Sequence, residues 1–87
     1  MQPDESVRNA ILNDVAERLI AARVRLGYDL DAAAAAAHIL PERLAEAEDA
    51  SIALREDELQ ALADAYGVDP ASFFGGRVTP FSYLAGA

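Results

Sequence analysis

The chain lacks cysteine and lysine, and its one histidine is His38. Without cysteine it has no disulfide bonds and no thiolate ligands, and a single histidine is too little for a zinc site. The lack of disulfides is consistent with the cytoplasm, which is the location we expect. All seven basic residues are arginine. Together with the many alanines, this is typical of a GC-rich bacterial genome.

Positive charge is scarce as well. Seven basic residues stand against fifteen acidic ones, and the net charge of -8 repels polyanions on average. No apolar run approaches the roughly 18 residues of a membrane-spanning helix, so we expect no membrane partner. The first residues, MQPDESV, are acidic and resemble no signal peptide. A chain of 87 residues suits one domain with a modest core.

No catalytic motif is recognisable either. The sequence has no nucleophile elbow and no phosphate-binding loop. Asp29 and Asp31 are not followed by the glycine and the terminal glutamate of a calcium loop. The many carboxylates are expected on helix surfaces and caps. We therefore predict no enzymatic activity, no cofactor and no bound metal.

The most informative stretch is residues 27–48, GYDLDAAAAAAHILPERLAEAE. Asp29 is a good N-cap for a helix over residues 30–37, which are strong helix formers. Residues 38–40 interrupt that helix, with His38 in a left-handed conformation. Pro41 then suits the first position of a second helix. This pattern predicts two short helices joined by a tight turn, which is a helix-turn-helix unit.

Upstream, apolar residues recur every three or four positions: Val7, Ile11, Leu12, Val15, Leu19, Ala22 and Leu26. The spacing predicts a long first helix that begins near residue 5 and ends at Gly27. So apolar a stripe must be buried. It packs either on its own domain or as a dimerisation arm, and both alternatives stay open.

Downstream, the pattern predicts a fourth helix over residues 55–66 and a last short helix capped by Asp69 with Pro70 at its first position. Glu56, Asp57 and Glu58 lie in the first turn of the fourth helix, where the helix dipole favours them. Phe73 and Phe74 are expected to close the core. The tail aromatics Phe81 and Tyr83, with Leu84, belong either to a frayed terminus or to a segment docked on a groove or a second subunit. We expect them to be buried.

In this order and spacing, residues 15–74 resemble the Cro/C1-type (XRE, phage-repressor-like) helix-turn-helix family. The run from Gly27 to Ala34 is similar to the family's G-x-S-Q-x-x-L-A. Further matches are Leu19, Ala22 and Arg23 in the first helix, Ile39, Leu44 and Glu48 in the motif, and Leu59, Leu62, Ala63, Tyr66 and Val68 after it. The resemblance implies an all-α, five-helix lambda-repressor-like domain. Residues 1–14 form a helical N-terminal extension, and residues 75–87 a short C-terminal tail.

The resemblance also implies a DNA-binding transcriptional regulator that acts as a homodimer and inserts the second helix of the motif into the major groove. The residues expected on that face are Leu30, Leu40, Pro41, Glu42, Arg43, Ala45 and Glu46. Arg43 suits a guanine edge or a phosphate, and Arg25, Arg55 and Arg77 are candidate phosphate contacts. Arg23 and Glu48 are expected to form a structural ion pair instead.

A second hypothesis comes from the departures from the family pattern. Leu30 replaces the usual glutamine and Ala45 the usual serine at the positions that usually touch DNA. Glu42 and Glu46 lie four residues apart, on one face, and would meet phosphates with the wrong sign. An acidic, helix-turn-helix-derived protein-interaction module without direct DNA binding is therefore the alternative. The family resemblance favours DNA, and the composition of this face favours a partner protein.

Overall fold

The computed structural model describes the backbone of residues 3–75 and the side chains of residues 9–75. It contains four α-helices, α1 (Pro3–Arg25), α2 (Leu30–Ala37), α3 (Pro41–Glu48) and α4 (Glu56–Tyr66), and a C-terminal 3-10 helix (Pro70–Phe74). No strand occurs in this part of the chain. The prediction of an all-α fold is therefore confirmed. Helix α1 runs without a break through residue 14, so the predicted N-terminal extension and the first helix are one element.

The apolar stripe of α1 is buried within its own domain over most of its described length. Leu12, Val15, Leu19 and Ala22 are at most 8% exposed and belong to the core. The prediction that the buried stripe continues to Leu26 is wrong, because this side chain is 47% exposed. The helix ends at Arg25, and the following turn, with Gly27 at a φ of 77°, carries Leu26 out of the helical register. The side chain of Val7 and the tail residues Phe81, Tyr83 and Leu84 lie outside the described residues.

The two short helices begin and end as the capping signals predict. The Asp29 carboxylate accepts a hydrogen bond from the backbone N–H of Ala32 at 2.7 Å, which starts α2. His38 ends α2 in the left-handed conformation, with φ 58° and ψ 41°. Pro41 then opens α3 behind an extended Leu40. The prediction for residues 29–41 is confirmed residue by residue.

The core lies between α1, α2, α4 and the 3-10 helix, with α3 packed on α1 and α2. Its largest fully buried side chains are Phe73, Phe74, Leu19, Leu44, Leu54, Leu59, Leu62 and Val15. Three rings form a connected series, because Tyr66 lies 6.0 Å from Tyr28 and 6.3 Å from Phe73 between ring centroids. The Tyr28 ring adds bulk beside α2, whose buried residues Ala33 and Ala34 are small. Burial raises the pKa of Tyr66 to about 12.

Ala50 has a φ of 61°, a left-handed conformation that is sterically unfavourable for alanine. Ala50→Gly should raise the free energy of unfolding by up to about 1 kcal/mol, because glycine adopts this conformation without strain. Ala35→Gly, on the exposed side of α2, is the control and should lower it by about 1 kcal/mol. Urea unfolding of the three proteins measures both changes. A loss of stability in both variants would contradict the expectation.

Candidate functional site

The residues expected to meet a ligand lie on α3 and at the two helix starts around it. Leu40, Glu42 and Glu46 are exposed, and Leu40 is the most accessible large apolar residue of the described part at 64%. The others, Leu30, Pro41, Arg43 and Ala45, are half-buried, and Leu30 packs against the core. We call Leu40, Glu42, Glu46 and Asp49 the α3 face, since all four are exposed.

Arg43, the one basic residue of α3, is held by a carboxylate of α4. Its Nε and Nη2 atoms donate hydrogen bonds to the two oxygens of Glu58 at 2.6 Å and 2.8 Å. The Glu58 side chain is 4% exposed, and that of Arg43 is 35% exposed. This bidentate arrangement, with two parallel N–H···O hydrogen bonds, is stronger and more specific in geometry than a single hydrogen bond between an arginine and a carboxylate. The charge expected to read a guanine or a phosphate is therefore neutralised inside the domain.

Glu58 has two roles at once. Besides pairing with Arg43, its carboxylate accepts a hydrogen bond at 2.8 Å from the backbone N–H of Arg55, the N-cap residue of α4, which is the half of a capping box that a glutamate at this position supplies. The hydrogen bonds from Arg43 lower the pKa of the Glu58 carboxyl, and they outweigh its burial, which acts in the opposite direction. The sequence predicts only the helix-start role. The pairing with Arg43 depends on how α4 lies against α3, which no local pattern encodes.

Arg23 and Glu48 form the expected ion pair between α1 and α3. The Arg23 Nε and Nη2 atoms donate to the Glu48 carboxylate at 2.8 Å and 3.0 Å, and Nη1 donates to the carbonyl of Tyr28 at 3.0 Å. The side chains are only 17% and 8% exposed. The hydrogen bonds to the Glu48 carboxylate raise the pKa of the Arg23 guanidinium. Glu48 ends α3, where the helix dipole disfavours a negative charge, and Arg23 offsets that effect.

The other arginines offer little positive charge near α3. Arg55 bonds the Asp57 carboxylate at 3.1 Å, and Arg18 lies 3.5 Å from Asp14. Arg25, exposed at the end of α1, makes no ion pair with any residue of the described part. Arg77, the third candidate phosphate contact, lies outside it. The phosphate contacts expected from the sequence thus reduce, within residues 9–75, to one unpaired guanidinium.

A metal site and a membrane span are both absent from the part of the chain that the structure describes. No three histidine or acidic side chains there are close enough together to hold a metal ion. No described helix combines the length and the apolar character needed to cross a membrane.

Comparison with known proteins gives no match, since no family model, no curated protein and no solved structure is significantly similar to the chain. The family resemblance therefore stays an interpretation of the sequence.

The Arg23–Glu48 pair should contribute strongly to stability. Glu48→Gln removes the charge but keeps the shape, and it leaves a largely buried guanidinium uncompensated, which should cost about 3 kcal/mol. The control is Glu46→Gln, the same change on the exposed side of α3, which should alter stability by less than about 0.5 kcal/mol. Chemical denaturation at neutral pH measures both. Equal effects of the two changes would contradict a structural role for Glu48.

The Arg43–Glu58 pair predicts a pH dependence. The pKa of Glu58 is lower in the folded chain than the ordinary value of 4.5, so its stabilisation is present above that pH and is lost as the pH falls through the folded pKa. Glu58→Gln should cost about 1.5 kcal/mol at neutral pH. The difference between wild type and variant should shrink on acidification below about pH 4.5. Unfolding curves at several pH values test this, and a difference that does not depend on pH would contradict it.

Proposed function

We propose that this chain is a helix-turn-helix-derived module of a regulatory protein, and that its α3 face binds a basic, partly apolar segment of a partner protein. The single observation that carries the proposal is the Arg43–Glu58 pair. Because it neutralises the only positive charge of α3, the exposed charges left on that helix and its C-cap are those of Glu42, Glu46 and Asp49.

The electrostatics of the α3 face support a basic partner. Glu42 and Glu46 lie one turn apart on the same side of α3, and neither makes an ion pair within the described residues. Two such carboxylates repel phosphates and attract arginine or lysine side chains at a matching spacing. Charge complementarity of this kind sets the rate of association and the choice of partner.

Leu40 supplies the apolar part of the α3 face. Its side chain is 64% exposed directly before α3, next to the half-buried Pro41. A large exposed apolar side chain at the start of a helix that also carries exposed carboxylates fits an amphipathic segment better than it fits a phosphate backbone. Burial of such an anchor usually contributes more affinity than the charges around it. The expected ligand is therefore a segment that carries both a hydrophobic side chain and basic residues.

The second candidate is a DNA-binding transcriptional regulator that acts as a dimer. Two features support it. The first is the order α2, turn, α3, with the Arg23–Glu48 contact at the positions implied by the family resemblance. The second is that Leu40, the N-cap of α3, has no side-chain hydrogen bond to the start of the helix. An uncapped helix N-terminus suits a phosphate. Against it, Arg43 would have to leave Glu58, and an uncompensated buried carboxylate costs about 3–5 kcal/mol.

Two probes separate the candidates. The first is a mixture of genomic DNA fragments at low salt, and the second is a synthetic amphipathic peptide with leucine and arginine on one face. We expect the wild type to bind the peptide and not the DNA. Leu40→Glu and the double change Glu42→Gln with Glu46→Gln should each weaken peptide binding about tenfold or more, because they remove the anchor or the charges.

The control removes two charges elsewhere. Glu56→Gln with Asp64→Asn neutralises two exposed carboxylates of α4 and should leave peptide binding within about twofold of wild type. Fluorescence anisotropy measures the peptide and a gel shift the DNA. Sequence-dependent DNA binding by the wild type would overturn the proposal, and so would DNA binding that appears when Glu42 and Glu46 are neutralised. Equal loss of peptide binding in the control would show that only net charge matters.

A further inference from the structure

The exposed large apolar residues of the described chain are concentrated on one element. Four such side chains are exposed. Ile20 (36%) and Val24 (61%) lie in the C-terminal part of α1, and Leu26 (47%) lies in the turn directly after it. Ile20 and Val24 are one turn apart and so share a side of the helix, with the exposed Ala21 beside them. This side is opposite the buried stripe of Leu19 and Ala22. We call Glu17, Ile20, Ala21 and Val24 the outer α1 face.

The outer α1 face is also poor in charge. Within its extent the one charged residue is Glu17, and Arg25 follows at the end of the helix, so the two charges cancel. By contrast, the exposed sides of α3 and α4 carry several carboxylates and no unpaired arginine in the described residues. Two copies of a chain with a net charge of -8 repel each other on average. Among the exposed sides of α1, α3 and α4, the outer α1 face is the one where that repulsion is weakest.

We infer that the outer α1 face binds the same face of a second copy of this chain, with the two α1 helices antiparallel and crossing at Ala21. Glu17 and Arg25 lie four residues on either side of Ala21, which is about 6 Å along the helix in each direction. An antiparallel arrangement therefore brings Glu17 of each copy beside Arg25 of the other. The interface is self-complementary, as a two-fold dimer requires.

The same arrangement accounts for the apolar residues. Ile20 and Val24 of the two copies meet around the two-fold axis, and the small side chain of Ala21 lets the helices approach closely. Neither Glu17 nor Arg25 has an ion-pair partner within the described residues, so both are available to the second copy. The contact is small and belongs to the class of weak, transient interfaces. It does not depend on the proposed function of the α3 face, which lies on a different helix.

A charge-swap experiment tests the pairing. In sedimentation equilibrium of the full chain, Glu17→Arg alone and Arg25→Glu alone should each weaken dimerisation at least tenfold, because like charges then face each other. The double variant should return to within about threefold of wild type. Glu56→Arg is the control, an exposed charge reversal on α4 that should not weaken dimerisation. A monomeric wild type at millimolar concentration, or a double variant that stays dissociated, would overturn the inference.

The absence of native cysteine permits a second, geometric test. Ala21→Cys should form a disulfide-linked dimer under mild oxidation, since the two copies of residue 21 meet at the crossing point. Ala36→Cys, an equally small and exposed position on α2, is the control and should stay monomeric. If the wild type dimerises but Ala21→Cys does not cross-link, the interface lies elsewhere. If the wild type is monomeric and Val24→Asp lowers its stability, another part of the chain covers this face. Either result refutes the inference.

Discussion

Two arginine–glutamate pairs hold α3 in place, and the character of the molecular surface depends on them. An eight-residue helix is not stable by itself, because its few backbone hydrogen bonds do not offset the free energy that helix nucleation costs. Arg23 of α1 binds Glu48 at the C-terminal end of α3, and Glu58 of α4 binds Arg43 in its first half. Both ion pairs are bidentate, so they fix the orientation of α3 as well as its position. Between them, Leu44 and Ala47 are buried and anchor the helix to the core.

The same pairs determine which charges reach the solvent. Each uses an arginine of a chain that has few basic residues, and each places the carboxylate deeper than the guanidinium. A buried glutamate cannot release its arginine cheaply, since the carboxylate would be left without compensation. The positive charges of Arg23 and Arg43 are therefore structural, and the exposed surface of α3 is acidic as a result. For this reason we propose a basic protein segment rather than DNA as the ligand of the α3 face.

The local features of the fold could be predicted from the sequence, and the contacts between α3 and α4 could not. The ends of α2 and α3 and the left-handed His38 follow from capping residues, proline and steric preference, which act within a few residues. The family resemblance predicts the Arg23–Glu48 contact, and the contact is present. The burial of Glu58, its pairing with Arg43 and the left-handed Ala50 depend on the angle between helices and on the path of the loop before α4. Leu26 is exposed for a related reason: helical spacing predicts which side chains are buried only within the helix, and α1 ends one residue earlier, at Arg25.

The two proposed binding surfaces differ in physical character, and this difference explains how one small domain could use both. The α3 face is acidic and open to solvent, so its attraction for a basic segment is screened over a Debye length of about 10 Å at 0.1 M salt. The outer α1 face is nearly neutral and gains mainly from burying Ile20 and Val24, which salt weakens little. Self-association through the outer α1 face uses none of the residues Leu40, Glu42 and Glu46, which belong to α3 and the residue before it. A dimer of this kind would present two α3 faces to a partner, and two linked sites bind a repeated or dimeric ligand far more tightly than one.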